Sequence, residues 1–246
     1  MASSIHRPLD QTMKRALAIV LTVLFADQAL KIWVKLNFFY DSAISILGEK
    51  GYLHFIENRG MAFGMEFGGE WGKLILTLFR IAAVSGIGYS LYRMIQRGAG
   101  TGLVISVSLI LAGALGNIID STFYGVIFSA SSPFEKAVLF PADGGYGTLL
   151  HGAVVDMFYF PLWEGRLPNW LPLWGGDHFV FFRPVFNVAD AAITFGVVMF
   201  ILVQRRSGSV LSIPLDEVIS SSAASPDPTS SQADSGSAET RQQEIG

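Results

Sequence analysis

Four long apolar runs constrain this chain more than any other feature. Residues 16–36, 71–92, 102–123 and 185–203 each approach the roughly 20 apolar residues that a helix needs to cross a hydrocarbon core about 30 Å thick. Between them the charge of an ordinary soluble domain is missing. Only 15% of the 246 residues are Asp, Glu, Lys or Arg, where soluble domains carry roughly 25%. The apolar fraction of 51% is ordinary by itself, but the mean hydropathy is +0.45. Four buried helices of this length would leave a water-soluble fold too little polar surface. The pattern argues against a soluble enzyme, a nucleic-acid binder and a disordered chain, and indicates a multi-span membrane protein. The last 40 residues carry six acids and one arginine, which leaves a net charge of +2 on the first 206. With no cysteine, disulfides, thiolate metal sites and cysteine nucleophiles are excluded, and the compartment stays open.

Lys14 and Arg15 precede the first run as they would precede a secretory signal. No clear small-x-small cleavage site follows, and Asp27, Gln28 and Lys31 continue in helical phase, so the run reads as an uncleaved span. Arg7, Lys14 and Arg15, then Arg93 and Arg97, then Arg205 and Arg206 fall on one side of a four-span topology, which is expected to be cytoplasmic. Loops 37–70 and 124–184 then face outward. Residues 51–67, rich in aromatics and glycine around Asn58-Arg59-Gly60, are expected to form two short strands about a turn. The second loop carries Pro133, Pro141, Pro161, Pro168 and Pro172 with Trp163, Trp170 and Trp174, and is expected to lie on the bilayer surface. Residues 207–246 are rich in Ser, Ala, Pro, Asp and Gln and read as a disordered cytoplasmic tail, leaving a membrane domain over residues 1–206.

Ionisable groups inside apolar segments point to function. An Asp or Lys at the centre of a span costs about 2.5–3.5 kcal/mol on insertion scales. Asp27 and Lys31 are four apart, share a helix face and can neutralise each other. Arg80 can snorkel or pair with an acid elsewhere, and is assigned no chemistry. Asn-x-x-Asp occurs twice, as Asn117/Asp120 ending the third run and Asn187/Asp190 beginning the fourth. Each pair shares a helix face and can equally be a helix-end hydrogen-bonding device. Asp156 lies among Val, Met, Phe and Tyr, and is expected to dip toward the membrane. Two carboxylates in a partly dry pocket share a proton and titrate as a unit. Such a pair can activate a water for proteolysis, or relay protons in a carrier.

In five blocks, in order over residues 20–205, the chain resembles bacterial lipoprotein signal peptidase (signal peptidase II), an integral-membrane aspartyl peptidase. The blocks are Asp27-Gln28-Ala29-Leu30-Lys31, Glu57-Asn58-Arg59-Gly60-Met61-Ala62-Phe63-Gly64, Gly113-Ala114-Leu115-Gly116-Asn117-Ile118-Ile119-Asp120, Val154-Val155-Asp156-Met157 and Phe186-Asn187-Val188-Ala189-Asp190. The resemblance implies a mainly α membrane fold, with four transmembrane helices, a small extracytoplasmic β-cradle and, in this chain, an enlarged interfacial loop. It assigns catalysis to Asp156 and Asp190. Asn58, Asn117 and Asn187 fall on pocket positions, Gly113 on a pocket or supporting one, and Asp120, Asp27 and Lys31 on supporting ones. It implies diacylglyceryl-modified prolipoprotein substrates cut before the lipidated cysteine, a bacterial inner-membrane location beside lipid, and inhibition by globomycin-type cyclic peptides. No cofactor, metal or nucleic acid is implied. The histidines at 6, 54, 151 and 178 have no ligand spacing.

Two departures stand out. The family usually has Arg after the first Asn-x-x-Asp, where this chain has Ser121, and Arg59 and Arg183 are the candidate replacements. The catalytic acids, often fewer than 20 residues apart in the family, are 34 apart here, and residues 126–151 form a further insertion. The alternatives are a small proton-coupled carrier using the same acids as a relay, and a four-span scaffold whose loops bind a partner. A carrier would favour acids near the midplane and inverted repeats, and a scaffold gives no reason for the repeated Asn-x-x-Asp.

Overall fold

The computed structural model describes residues 6–60, 69–161, 163–166, 168–170, 176, 178–181 and 184–208. Helix α1 runs His6–Asn37, α2 Gly69–Gln96 and α3 Thr101–Ile119; α3 continues through a π-helical turn, Asp120–Tyr124, into the short α4, Gly125–Ile127. Helix α5 spans Val188–Gly208. The stretches long and apolar enough to cross a membrane are Gln11–Asn37, Trp71–Gln96, Thr101–Ile127 and Val188–Arg205. The last has 18 residues and at 1.5 Å per residue reaches about 27 Å, slightly short of a hydrocarbon core about 30 Å thick. The described residues from His6 to Gln204 belong to one compact unit. Of the expected tail, residues 209–246 lie outside the described residues.

The helices turn apolar surface outward and polar groups inward. Leu21, Phe25, Ile75, Phe79, Phe195 and Ile201 are exposed, whereas Asp27, Lys31, Thr77, Ser106 and Ser108 are buried. That suits lipid as solvent, because polar side chains there must find partners inside the protein. Two apolar clusters mark opposite ends. Ala16, Leu91, Ile95, Val104 and Val107 join the start of α1, the end of α2 and the start of α3. Val34, Phe38, Phe55, Tyr124, Phe128, Val155 and Met157 join the far ends of α1 and α3 to a sheet.

That sheet has strands β1 (Ala43–Ser45), β2 (Tyr52–Asn58), β3 (Val154–Tyr159) and β6 (Val185–Phe186), antiparallel in the order β1-β2-β3-β6. Strand β2 thus pairs with β1 and β3, with Ile56 opposite Asp156. The expected second strand after Asn58-Arg59-Gly60 falls mostly on residues 61–68, outside the described residues. Between β3 and β6 the chain forms a hairpin of β4 (Trp163–Arg166) on β5 (His178–Phe181). The enlarged loop is therefore folded back as strand structure, and the Phe158–Phe186 and Tyr159–Val185 pairs close it. Residues 185 and 186, expected inside the fourth span, belong to this sheet instead. The helix begins only after Asn187, whose side chain stops the strand by capping.

The insertion docks where backbones touch. A Cβ on Gly145 would lie 2.2 Å from the Gly125 carbonyl oxygen, and one on Gly152 would lie 2.0 Å from that of Asp120. Gly147 donates to Gly125 O at 2.8 Å and Gly152 to Ser121 O at 2.8 Å. These approaches lay β3 directly beside the π turn.

Candidate active site

Asn187 is the N-cap of α5. Its Oδ1 accepts the Asp190 N–H at 2.9 Å, and Asp190 Oδ2 accepts the Asn187 N–H at 3.3 Å. This reciprocal box satisfies donors that a helix start leaves orphaned. The helix-end reading of the second Asn-x-x-Asp is thus correct, and it does not exclude chemistry. The same Asn187 amide donates to Asp156 Oδ1 at 2.7 Å. One residue therefore holds both acids, Asp190 through its backbone and Asp156 through its side chain. The 34-residue separation does not matter, because the β3–β6 register brings Asp156 to the residue that follows β6.

The first Asn-x-x-Asp works differently. Asn117 donates to Asp190 Oδ1 at 2.8 Å, and its Oδ1 accepts from Asn187 Nδ2 at 3.2 Å and Lys31 Nζ at 2.9 Å. Asp120, fully buried, pairs through Oδ2 with Lys31 Nζ at 2.8 Å and accepts the Val155 N–H at 3.2 Å. Asp120 thereby fixes the strand residue next to Asp156. Asp27 pairs with Lys31 at 2.9 Å, as the four-residue spacing implies, and its Oδ1 accepts the Ala189 N–H at 2.8 Å, a second cap on α5. All three Lys31 donors are engaged, two by carboxylates and one by Asn117.

Gly113, expected at a pocket or supporting position, sits where α3 crosses α5. A Cβ there would lie 2.2 Å from Ala189 O and 2.7 Å from Ile193. Gly116 lies against Asp27 and Ala189 in the same crossing, as small residues do where membrane helices touch. Asn58 accepts the Gly60 N–H at 2.9 Å, closing a turn at a glycine with φ +91. Of the two proposed replacement cations, Arg59 is exposed and faces Tyr146, and Arg183 lies outside the described residues. It is Arg80, assigned no chemistry from the sequence, whose Nη1 donates to Ser121 Oγ at 3.2 Å.

Sequence reasoning also passed over Gln28. Its amide reaches Asp120 Oδ1 at 2.8 Å, Asp27 Oδ2 at 3.1 Å and Gly116 O at 3.2 Å, while its Oε1 accepts from Tyr124 OH at 3.1 Å. Its position three residues before Lys31 was the available signal. Lys35, one turn beyond Lys31, is buried and pairs with Glu57 and with Ser131 Oγ, its ammonium lying over the Phe128 and Tyr146 rings. That contact ties the insertion to α1 and β2.

Asp156 is 5% exposed, and burial pushes its carboxyl up to about 7. The neighbouring Asp190 and Asp120 charges add to the rise, while the Asn187 hydrogen bond and the Lys31 charge oppose it. A carboxyl holding a proton near neutrality beside a second carboxylate can serve as general acid while its neighbour serves as base. Among the described residues, no group of three or more His, Asp or Glu is arranged to hold a metal ion.

A family profile described as signal peptidase (SPase) II matches residues 19–205. A lipoprotein signal peptidase of Porphyromonas gingivalis is 48% identical over 195 residues, covering 79% of this chain and 84% of the relative. One from Amoebophilus asiaticus is 39% identical over 192 residues, with 77% of each chain covered. A solved bacterial membrane enzyme superposes with a TM-score of 0.51 at 20% identity, over 81% of this chain and 93% of its own. With its four apolar helices and this fold, the chain is a multi-pass membrane protein.

Proposed function

The chain belongs to the signal peptidase II family of membrane proteases, and on that premise we propose that it removes signal peptides from diacylglyceryl-modified prolipoproteins, cutting before the lipidated cysteine with an Asp156–Asp190 dyad. The observation that carries the dyad is Asn187, bonded to both acids at the start of α5. In this reading the pair holds one proton, and the raised Asp156 carboxyl favours Asp156 as its carrier. Asp190 is the base, its oxygens supported by the Asn117 amide and the Asn187 N–H. Water adds to the scissile carbonyl as its proton passes to Asp190, and the Asp156 proton goes to the carbonyl oxygen. The C–N bond then breaks as Asp190 protonates the leaving nitrogen and Asp156 recovers a proton from the diol. One water is consumed and the pair ends as it began. Asp120, Asp27, Lys31, Asn117 and Asn187 hold the acids in place and touch no substrate in this mechanism, while Asn58 helps to shape the pocket.

The substrate is a signal helix with acyl chains, so it enters sideways from lipid. The catalytic unit is residues 1–206, in the bacterial inner membrane with both termini cytoplasmic and the dyad near the outward face. The test is mass spectrometry of a lipidated precursor incubated with the full chain in bilayers. The expected product begins with diacylglyceryl-cysteine, an unlipidated precursor stays uncut, and a globomycin-type cyclic peptide blocks the reaction. A lipidated precursor left intact by folded protein would overturn the reading.

A further inference from the structure

Six charged side chains gather around the outward ends of α1, α3 and α5: Asp27, Asp120, Asp156, Asp190, Lys31 and Arg80. Lys31 spends its three donors on Asp27, Asp120 and Asn117, so its bonds reach neither Asp156 nor Asp190 directly. Arg80 reaches the group from α2. Its Nη1 rests on Ser121 Oγ, and that hydroxyl, buried in the π turn, donates to Asn117 O at 2.9 Å. Asn117 in turn holds Asp190 through its amide. The acid charges that act on Arg80 are those of Asp190 and then Asp156. A serine at 121 is small enough to admit a guanidinium from the neighbouring helix and polar enough to orient it.

We infer that Arg80, seated on Ser121, is the cation that sets the pH range over which the Asp156–Asp190 pair holds a single proton. This rests on the dyad reading above. A pair of carboxylates sharing one proton carries a net negative charge in a site where solvent is scarce, and a fixed positive charge alongside favours that state over the doubly protonated one. Facing Asp156 from the other elements are Asp190 and Asn187 at the start of α5, Asp120 in the π turn and Lys31 on α1. The acids outnumber the cations four to two, so removing Arg80 shifts the balance toward protonation. Arg80 is a positioning residue here: its bonded contact is to Ser121, and it acts through that residue and through its field.

The experiment is the pH dependence of kcat/KM for cleavage of a lipidated precursor by the purified full chain in bilayers, comparing wild type, Arg80→Gln, Arg80→Lys, and Arg80→Ser combined with Ser121→Arg. For Arg80→Gln the acid limb is expected to move up by about one pH unit, with activity recovering at higher pH. Arg80→Lys, and the double variant that returns the cation from position 121, are expected to bring the limb back toward wild type. A limb that stays in place in Arg80→Gln, or a rate that falls equally at every pH, would overturn the inference and leave Arg80 a packing residue. Should Arg80→Gln fail to fold, Arg80→Met, which removes the charge and keeps an apolar stem, decides: a limb moved up supports the inference, and an unmoved limb rejects it. Asp156→Asn is run alongside. Its full activity would bring down the dyad itself, whereas an inactive Asp156→Asn with an unmoved Arg80→Gln limb brings down only the role of Arg80.

Discussion

Lys31 has the most consequential environment of any single residue. It is fully buried among two carboxylates and an amide oxygen, a setting in which removing one partner typically costs about 3–5 kcal/mol because the rest stay charged and unpaired. Asp156 has the opposite character, being an acid that the fold makes harder to ionise. Its carboxyl lies near 7 in the folded protein and near 3.8 when unfolded. Between those values the folded state keeps a proton that the unfolded state has released, so stability falls as pH rises through that window and levels off above it. The contribution is at most roughly 4 kcal/mol. Asp156→Asn should remove this slope and make the folded protein more stable above neutrality, as read from denaturation midpoints between about pH 4 and pH 8 in bilayers. Identical pH slopes in the two proteins would show that Asp156 is not held protonated by burial.

At the scale of elements, the site depends on α5 starting where it does and crossing α3 where it does. Asn187, Asp190 and Asp27 all bond backbone N–H groups in the first turn of α5, so capping the helix and placing the acid are one event. Gly113 sets how closely α3 approaches. Gly113→Leu should push Ala189 away, lowering the thermal midpoint and the cleavage rate together, by an amount typical of overpacking, about 1–3 kcal/mol. Gly86→Leu, where a Cβ meets nothing within 4 Å, is the control and should change neither. Equal behaviour of the two variants would contradict the close crossing. The helices were legible in the sequence because lipid imposes a length and a composition. The Asp27–Lys31 pair was legible because its spacing is local. Contacts across elements were not. Nothing in the spacing of Asn117 and Asp120 says that Asn117 turns toward α5 while Asp120 turns toward α1 and β3. Arg80 looked like a lone cation because its partner, Ser121, reads as an ordinary serine until α2 is laid against α3. The strand at residues 185–186 was hidden because its two apolar residues merge with the helix that follows.

For the whole molecule, the sheet is what brings a strand-borne acid, Asp156, to the helix-borne polar cluster. Helices alone could hold Asp190, Asp120 and Lys31, but Asp156 arrives on a strand pinned between β2 and β6. The hairpin of β4 and β5 extends the chain between the acids without moving them apart, and Lys35 with Glu57 and Ser131 anchors the other insertion to the frame. The sheet and the Lys35 anchor therefore bear on how Asp156 is presented to the start of α5. The most direct measurement is the cleavage rate of a diacylglyceryl-modified precursor by purified Asp156→Asn and Asp190→Asn, at equal protein and with helical content matched to wild type. Each substitution keeps the shape and the Asn187 or Asn117 neighbourhood but removes an acid. The account predicts that either one lowers kcat by at least about 100-fold; a wild-type rate in either variant would contradict it.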